Sequence, residues 1–248
     1  MRAFLQCRDS THGLEPCNPN IFNAYYGLRD MGFDCIRFST LEDLQAHNHC
    51  RDELIVGGVG MIRKRLKAFG FEPPMVDYPE ELTSYLGRTI SEAKLSTIAN
   101  NPSLWPIFIK SKEQKRLTGK VVSSIGDLVG LGFQEEDIDL YCSPVVDFES
   151  EYRVFVRYGQ ILDVKHYWGN PLVFPDSKVI QSAIEDYSSA PDAYGIDFGV
   201  TKDGRTLLIE VNDAWALGCY GLAAHTYAKF LLTRWAQLTG TPDQFFYI

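Results

Sequence analysis

The sequence predicts an α+β protein led by a small α/β lobe, and three patterns carry that prediction. Short apolar runs alternate with helix-like stretches up to roughly residue 75, the habit of a partly parallel sheet. Two long segments, Glu151 to Tyr167 and Gly195 to Asn212, fold back at glycine-containing turns as antiparallel hairpins. An apolar helix over about Leu222 to Leu238 follows them, mostly as core.

Taken in order, Phe4 to Gln6 reads as a first strand, followed by a polar loop with His12 and Gly13. Asn20 is placed to cap a helix from Ile21 to Met31, which Gly32 ends. Cys35 to Phe38 and Leu54 to Val56 are further strands. Gly57-Gly-Val-Gly60 then opens an amphipathic helix carrying Arg63, Lys64, Arg65 and Lys67. Strand–glycines–helix can cradle phosphate. The spacing fits neither a P-loop nor a dinucleotide fingerprint, so a tight β–α turn is the better reading.

Pro73-Pro74 and Pro79 punctuate the passage to a second region. Trp105 to Lys110 is a strand with a lysine fixed at its end, and Lys120 to Ser124 a second one. The lysine-containing segment between them resembles a flap over an anion. Leu140 to Val146, broken by Ser143-Pro144, predicts a sheet edge or a linker between lobes. Its unpaired backbone groups would suit a purine ring. A capped helix is expected near Ser177 to Ser188.

At 248 residues the chain can bury a substantial core as one domain or as two to three lobes. The net charge of -8 argues against general nucleic-acid binding, and no apolar run reaches the length of a membrane span. No signal peptide is evident: charge follows the first apolar run too soon. Six scattered cysteines without a CxxC pair suit a reducing cytosol, so a cytoplasmic location is expected. His47-Asn-His49-Cys50 lacks a second ligand cluster and reads as a polar loop rather than a zinc site.

The chemistry lies in the hairpins. A two-residue turn at Asp203-Gly204 would place Asp197 opposite Glu210 and Gly195 opposite Asn212. Asp197, Glu210 and Asn212 then share one face, while Ile196, Phe198 and Val200 share the other with Leu207, Ile209 and Val211. Carboxylates about 5 Å apart repel by roughly 3 kcal/mol at an effective dielectric near 20. Opposed acids also occur on solvated faces, or beside an arginine that pairs with both. Here Asn212 extends an oxygen-rich row between apolar neighbours, which favours Mg²⁺. In the earlier hairpin, a three-residue loop at Tyr158-Gly159-Gln160 sets Arg153 across from Lys165, with Arg157 on the same face. It also puts Leu162 and Val164 on the face of Val154 and Val156. Opposed cations either snorkel to water or share an anion. A polyphosphate with its metal would satisfy acids and bases together.

These residues resemble the ATP-grasp superfamily: Phe-Ile-Lys110, Glu151-Tyr-Arg153-Val-Phe-Val, Ile-Asp197-Phe-Gly-Val and Leu-Ile-Glu210-Val-Asn212. The whole chain is most similar to a short clade of that superfamily found in bacteria and phages. The specific motifs cover roughly residues 90 to 240. The resemblance implies an ATP-grasp fold, two α+β lobes clasping ATP, preceded by the small α/β lobe. The implied lobes are 1–88, 89–146 ending in a hinge, and 147–248. Lys110 and Lys120 would face the phosphates. Ser143, Val145 and Val146 would hold adenine, and Glu151 the ribose. Arg153 and Lys165 would face phosphate and stabilise the oxyanion. Asp197, Glu210 and Asn212 would ligate Mg²⁺. Asp213 to Gly221 stands where many relatives have Pro-Gly, and Glu113 to Gly119 replaces the usual glycine-rich lid, so substrate identity does not carry over.

The activity implied is ATP-dependent carboxylate–amine ligation through an acyl-phosphate, on small-molecule or peptide substrates, with ADP and phosphate released. A homo-oligomer is compatible with it. Two alternatives share the site: a phosphotransferase acting on a hydroxyl, which would leave a phosphorylated product, and a non-catalytic Mg·ATP-binding module.

Overall fold

The computed structural model describes residues 1–7, 18–113, 117–131 and 137–247. The predicted loop with His12 and Gly13, and Cys17, lie outside them. Strand β1 (Arg2–Gln6) runs between β2 (Asp34–Phe38) and β3 (Leu54–Val56) in a parallel sheet, as the strand–helix alternation predicts. Helix α1 (Pro19–Asp30) begins earlier than expected. Its cap is Asn18 rather than Asn20, with Oδ1 accepting from the amides of Asn20 and Ile21. Helix α2 (Leu41–Ala46), which the sequence reading missed, starts at a reciprocal capping box of Thr40 and Asp43. Helix α3 (Val59–Ala68) follows a tight turn that the chain closes itself, Gln6 Oε1 accepting from the Gly58 amide.

The other strands form two antiparallel four-stranded sheets. One comprises β4 (Ser91–Lys94), β5 (Ile107–Ser111), β6 (Lys120–Val122) and β7 (Asp139–Ser143) in the order β4-β7-β5-β6. The segment expected to be an edge or linker is therefore an interior strand, β7. It stops at Ser143, so Pro144 falls outside the ladder, and residues 144–147 link the two sheets. The second sheet holds β8 (Phe148–Arg157), β9 (Gln160–Gly169), β10 (Ala193–Thr201) and β11 (Thr206–Asp213) in the order β11-β10-β8-β9. Helix α4 (Leu95–Asn100) packs in the core of the first sheet and α5 (Ser177–Asp186), capped by Asp176, in that of the second.

Both hairpins reach the predicted pairing near the site by an unpredicted route. Asp197 pairs with Glu210 and Gly195 with Asn212. The loop, however, holds three residues: the Thr201 amide donates to Arg205 O, and Gly204, at φ 82°, donates back to Thr201 O. One extra residue on β11, Ile209, then restores the count as a β-bulge. The bulge changes which side chains reach the core: Leu208, rather than Leu207 and Ile209, joins Ile196, Phe198 and Val211. The β8–β9 turn shows the reverse. Tyr158-Gly159 is a two-residue turn with both φ values positive, and a bulge at Leu162 restores Arg153 opposite Lys165. Leu162 consequently packs with Phe155, on the opposite side from Val154 and Val156.

Helix α6 (Ala224–Thr239) is buried around most of its circumference, with Tyr227, Phe230, Leu231 and Trp235 in the core. It packs against α1 and shares a core with β1, β2, β3 and Phe155 of β8. Ion pairs tie it and the chain that follows to the second sheet. Arg234 makes two bonds to buried Asp213, and Arg157 meets Thr233 and Asp243. Among the described residues no helix is long and apolar enough to cross a membrane, and no disulfide joins the described cysteines.

The segment His47 to Cys50 is not simply a polar loop. His47 and Cys50 are exposed, but His49 is buried, its ring edge-on to Phe4 at 4.8 Å between centroids. Arg65 Nε donates to its Nδ1 at 3.0 Å, and Nε2 lies 2.8 Å from Glu53 O. That arrangement fits only the neutral ring. Burial first, and Arg65 after it, push the imidazole down to about 4. Its folded value lies below that of the unfolded chain, so its contribution is complete above pH 6.5 and is lost as pH falls towards 4. The loss should reach on the order of 2–3 kcal/mol. Urea unfolding of wild type and His49→Gln between pH 7 and 4 should show a shallower decline in the variant. Parallel curves would assign the decline elsewhere.

Candidate active site

One face of the second sheet carries the polar residues that the registers bring together. Glu151 and Arg153 alternate along β8, Asp197 lies on β10, and Glu210 and Asn212 lie on β11. The other face is the apolar core of Val154, Val156, Ile196, Phe198, Leu208 and Val211. Opposite the polar face, the first sheet presents Lys110 of β5. A cavity of about 740 Å³ lies between them, within the ~300–1,000 Å³ usual for small-molecule sites. Lys110, Arg153, Glu210 and Asn212 line it, together with Asp77 and the loop from Trp215 to Gly221.

The charges form one connected network. Lys110 Nζ bonds Glu210 Oε2 at 2.6 Å and also Asp77, and lies 5.7 Å from the centre of the Tyr78 ring. Asn212 Nδ2 bridges Glu210 Oε1 at 3.0 Å and Asp197 Oδ2 at 3.3 Å. Arg153 grips Asp197 through Nε at 2.8 Å and a terminal nitrogen at 2.6 Å. Arginine thus offsets the acid pair from one end and lysine from the other. Asp197, 1% exposed, sits one layer behind the cavity wall.

These contacts set the protonation states. Burial pushes the Asp197 carboxyl up to about 6, against the opposing pull of Arg153, so it is ionised at neutral pH. Burial also acts to raise Glu210, but Lys110 more than compensates and holds it below its usual value. Burial would lower Lys110, and Glu210 and Asp77 together raise it. Glu151 is raised by burial, Tyr167 partly opposing.

The remaining residues expected at the site lie off this cavity wall. Lys165 faces Arg153 across the ladder, with its ammonium 2.7 Å from Asp163. Lys120 donates to the carbonyl of Asp127. Ser143 is buried at the end of β7, and Val145 and Val146 lie in the linker between the sheets. Of the segment Glu113 to Gly119, residues 114–116 lie outside the described residues, while Leu117 and Thr118 reach the cavity.

Asp77 and the tyrosines around Arg153 escaped the sequence reading. Tyr220 stacks on the guanidinium at 4.5 Å, with Tyr167 at 5.8 Å on the same group. Tyr220 holds φ 45°, a left-handed conformation uncommon outside glycine, and Gly221 follows at φ 80°. Gly195 leaves the space that the arginine needs: a Cβ there would meet Leu217 Cδ2 at 2.6 Å and Arg153 Cδ at 3.4 Å. No periodicity reports Asp77. The loop around Tyr220 is recognisable only by its position just after Asn212.

A family model described as "ATP-grasp domain, R2K clade family 2" matches residues 85–230. A search of curated proteins finds no match. Among solved structures, the chain is similar to D-alanine–D-alanine ligase from Bacillus anthracis complexed with ATP. Identity is 13% and the TM-score 0.58, over 97% of this chain and 98% of that one. Similarity to N5-carboxyaminoimidazole synthetase from Staphylococcus aureus has 9% identity and a TM-score of 0.59, over 94% and 77%. For the ATP-grasp ligase PsnB, complexed with a minimal precursor, the values are 12% and 0.51, over 94% and 99%. At such identities the likeness is one of fold.

Removing Arg153 would leave Asp197 buried without its counter-charge, which typically costs about 3–5 kcal/mol. Arg153→Ala should therefore lose stability on that scale, and Arg153→Ala/Asp197→Ala should recover part of it in chemical denaturation. If the double variant is no more stable than the single one, the pair is not the reason for the loss.

Proposed function

We propose, from the premise that the chain belongs to the ATP-grasp family, R2K clade family 2, that it is an ATP-dependent carboxylate–amine ligase. The observation that carries this reading is the meeting of Lys110, Arg153, Glu210 and Asn212 on one cavity between two linked sheets, with Asp197 behind them. The reaction is the transfer of the γ-phosphoryl of ATP to a substrate carboxylate, releasing ADP. An amine then attacks the acyl-phosphate, phosphate departs with the bonding pair, and the amine loses a proton. Substrates are small molecules or peptides.

Glu210 and the Oδ1 of Asn212 line the cavity as hard oxygen donors that would suit Mg²⁺, while Asp197 lies behind them on the same sheet face and would join them only by giving up an oxygen that Arg153 now holds. Bound there with the nucleotide, the metal would neutralise phosphate charge. Lys110 lies next to the end of β5 and is anchored by two carboxylates, which sets its ammonium at the cavity wall to meet an anion. Arg153 spends two nitrogens on Asp197 and lines the cavity beside the polar wall, where its charge would stabilise an oxyanion. Lys165 stands farther out and would add long-range positive charge. Ser143, Val145 and Val146 at the linker would receive the purine, Glu151 the ribose, and Lys120 the phosphates from the edge strand of the first sheet. Phosphoryl transfer depends mostly on positioning and charge neutralisation, and these residues offer both without a nucleophile.

Incubation with Mg·ATP and pooled amino acids and peptides, followed by nucleotide and mass analysis, tests the proposal. ADP, phosphate and a product lighter by water than its two substrates are expected. AMP, or a stable phosphorylated product, would overturn it. Glu210→Gln should lower turnover by about two orders of magnitude or more while circular dichroism is unchanged.

A further inference from the structure

We propose that Arg88 is a positioning residue that holds the register of the strand carrying Glu210 and Asn212. The proposal rests on the Mg·ATP reading for its consequence, and on geometry alone for the contact itself. β11 lies at one edge of its sheet, so its outer backbone groups have no strand to bond. Arg88 supplies the partner. One terminal nitrogen donates to Leu208 O at 2.7 Å and the other to Ile209 O at 2.9 Å, while the first also meets Leu86 O at 3.0 Å. Asp77 O accepts from the Val211 amide at 2.9 Å, continuing the cover along the same strand.

The two carbonyls that Arg88 takes belong to the bulged residue and the one before it. In a regular strand, successive carbonyls point to opposite edges, and the extra residue at Ile209 is what offers both to one guanidinium. The same residue decides the chemistry. With the three-residue loop and no bulge, Asp197 would pair with Ile209, and Glu210 and Asn212 would turn to the core face. Arg88 therefore stabilises the one register that gathers the oxygen ligands. Its planar fork spans two adjacent acceptors, which a lysine ammonium cannot match. Asp77, eleven residues earlier by numbering, reaches Lys110 from the same segment, so one stretch of chain secures both the metal-facing strand and the lysine.

The test uses full-length wild type, Arg88→Ala and Arg88→Lys. Hydrogen exchange is read on the protein alone, and Mn²⁺·ATP binding by titration calorimetry. Both variants should retain wild-type circular dichroism, exchange faster across Phe198 to Val211, and leave β8–β9 protection intact. Mn²⁺·ATP affinity should fall by about 10-fold or more, as for groups that orient metal ligands. Millimolar ethylguanidinium should restore both readouts in Arg88→Ala. If Arg88→Ala does not fold, Arg88→Lys carries the same comparison. Unchanged exchange over Phe198 to Val211, or faster exchange with wild-type affinity, would overturn the proposal. Failure of wild type to bind Mn²⁺·ATP would overturn the functional reading instead, and exchange alone would then decide the role of Arg88.

Discussion

Glu210 faces the cavity because β11 contains one more residue than its partner needs. Side chains on a strand alternate strictly, so the insertion at Ile209 exchanges core and solvent for everything after it. The charge network follows from that choice. With Glu210 and Asn212 beside Asp197, carboxylates gather on one face, and cations must come from elsewhere: Arg153 from the next strand and Lys110 from the other sheet. The polar wall and the contact between the two sheets thus share one origin.

The network also explains why the site can be stable without being relaxed. Buried Asp197 is ionised only because a guanidinium meets both its oxygens, and that guanidinium lies against two tyrosine rings. Tyr220 accepts an unfavourable backbone conformation to complete the stack. Lys110 is shared between Glu210 and Asp77, so an incoming anion competes with two carboxylates for one ammonium. Such competition suits a lysine that must change partners, and it disfavours weakly charged ligands.

Much of this was legible in the sequence, and the errors are instructive. A two-residue turn at Asp203-Gly204 predicts the facing of Asp197 and Glu210, yet the loop has three residues and the strand a bulge; the two deviations cancel. The same cancellation, with opposite signs, occurs around Tyr158-Gly159. Alternating apolar residues constrain the ends of a hairpin more strongly than its turn, because a core face tolerates no net slip. Interior details near the turns therefore differ from strict alternation: Leu208 enters the core face in place of Leu207 and Ile209, and Leu162 leaves the face of Val154 and Val156. Asp77 and Arg88 were invisible for a different reason. They act on β11 from a segment without periodic pattern, and a contact more than a hundred residues apart leaves no local trace. Asn18 and Asn20 are both good caps by residue type, and Pro19 between them suits the first helical position, which places the cap at Asn18.

Helix α6 gives the molecule an unusual order of assembly. The first three strands share their core with a helix far downstream in the chain. During translation, Phe4, Leu5 and Ile55 must wait for Tyr227, Phe230 and Trp235 before that side is sealed. The leading lobe is therefore a poor candidate for early independent folding. A ribosome-bound chain would hold an unsealed apolar surface until α6 emerges, and chaperone capture should concentrate on the nascent β1, β2 and β3.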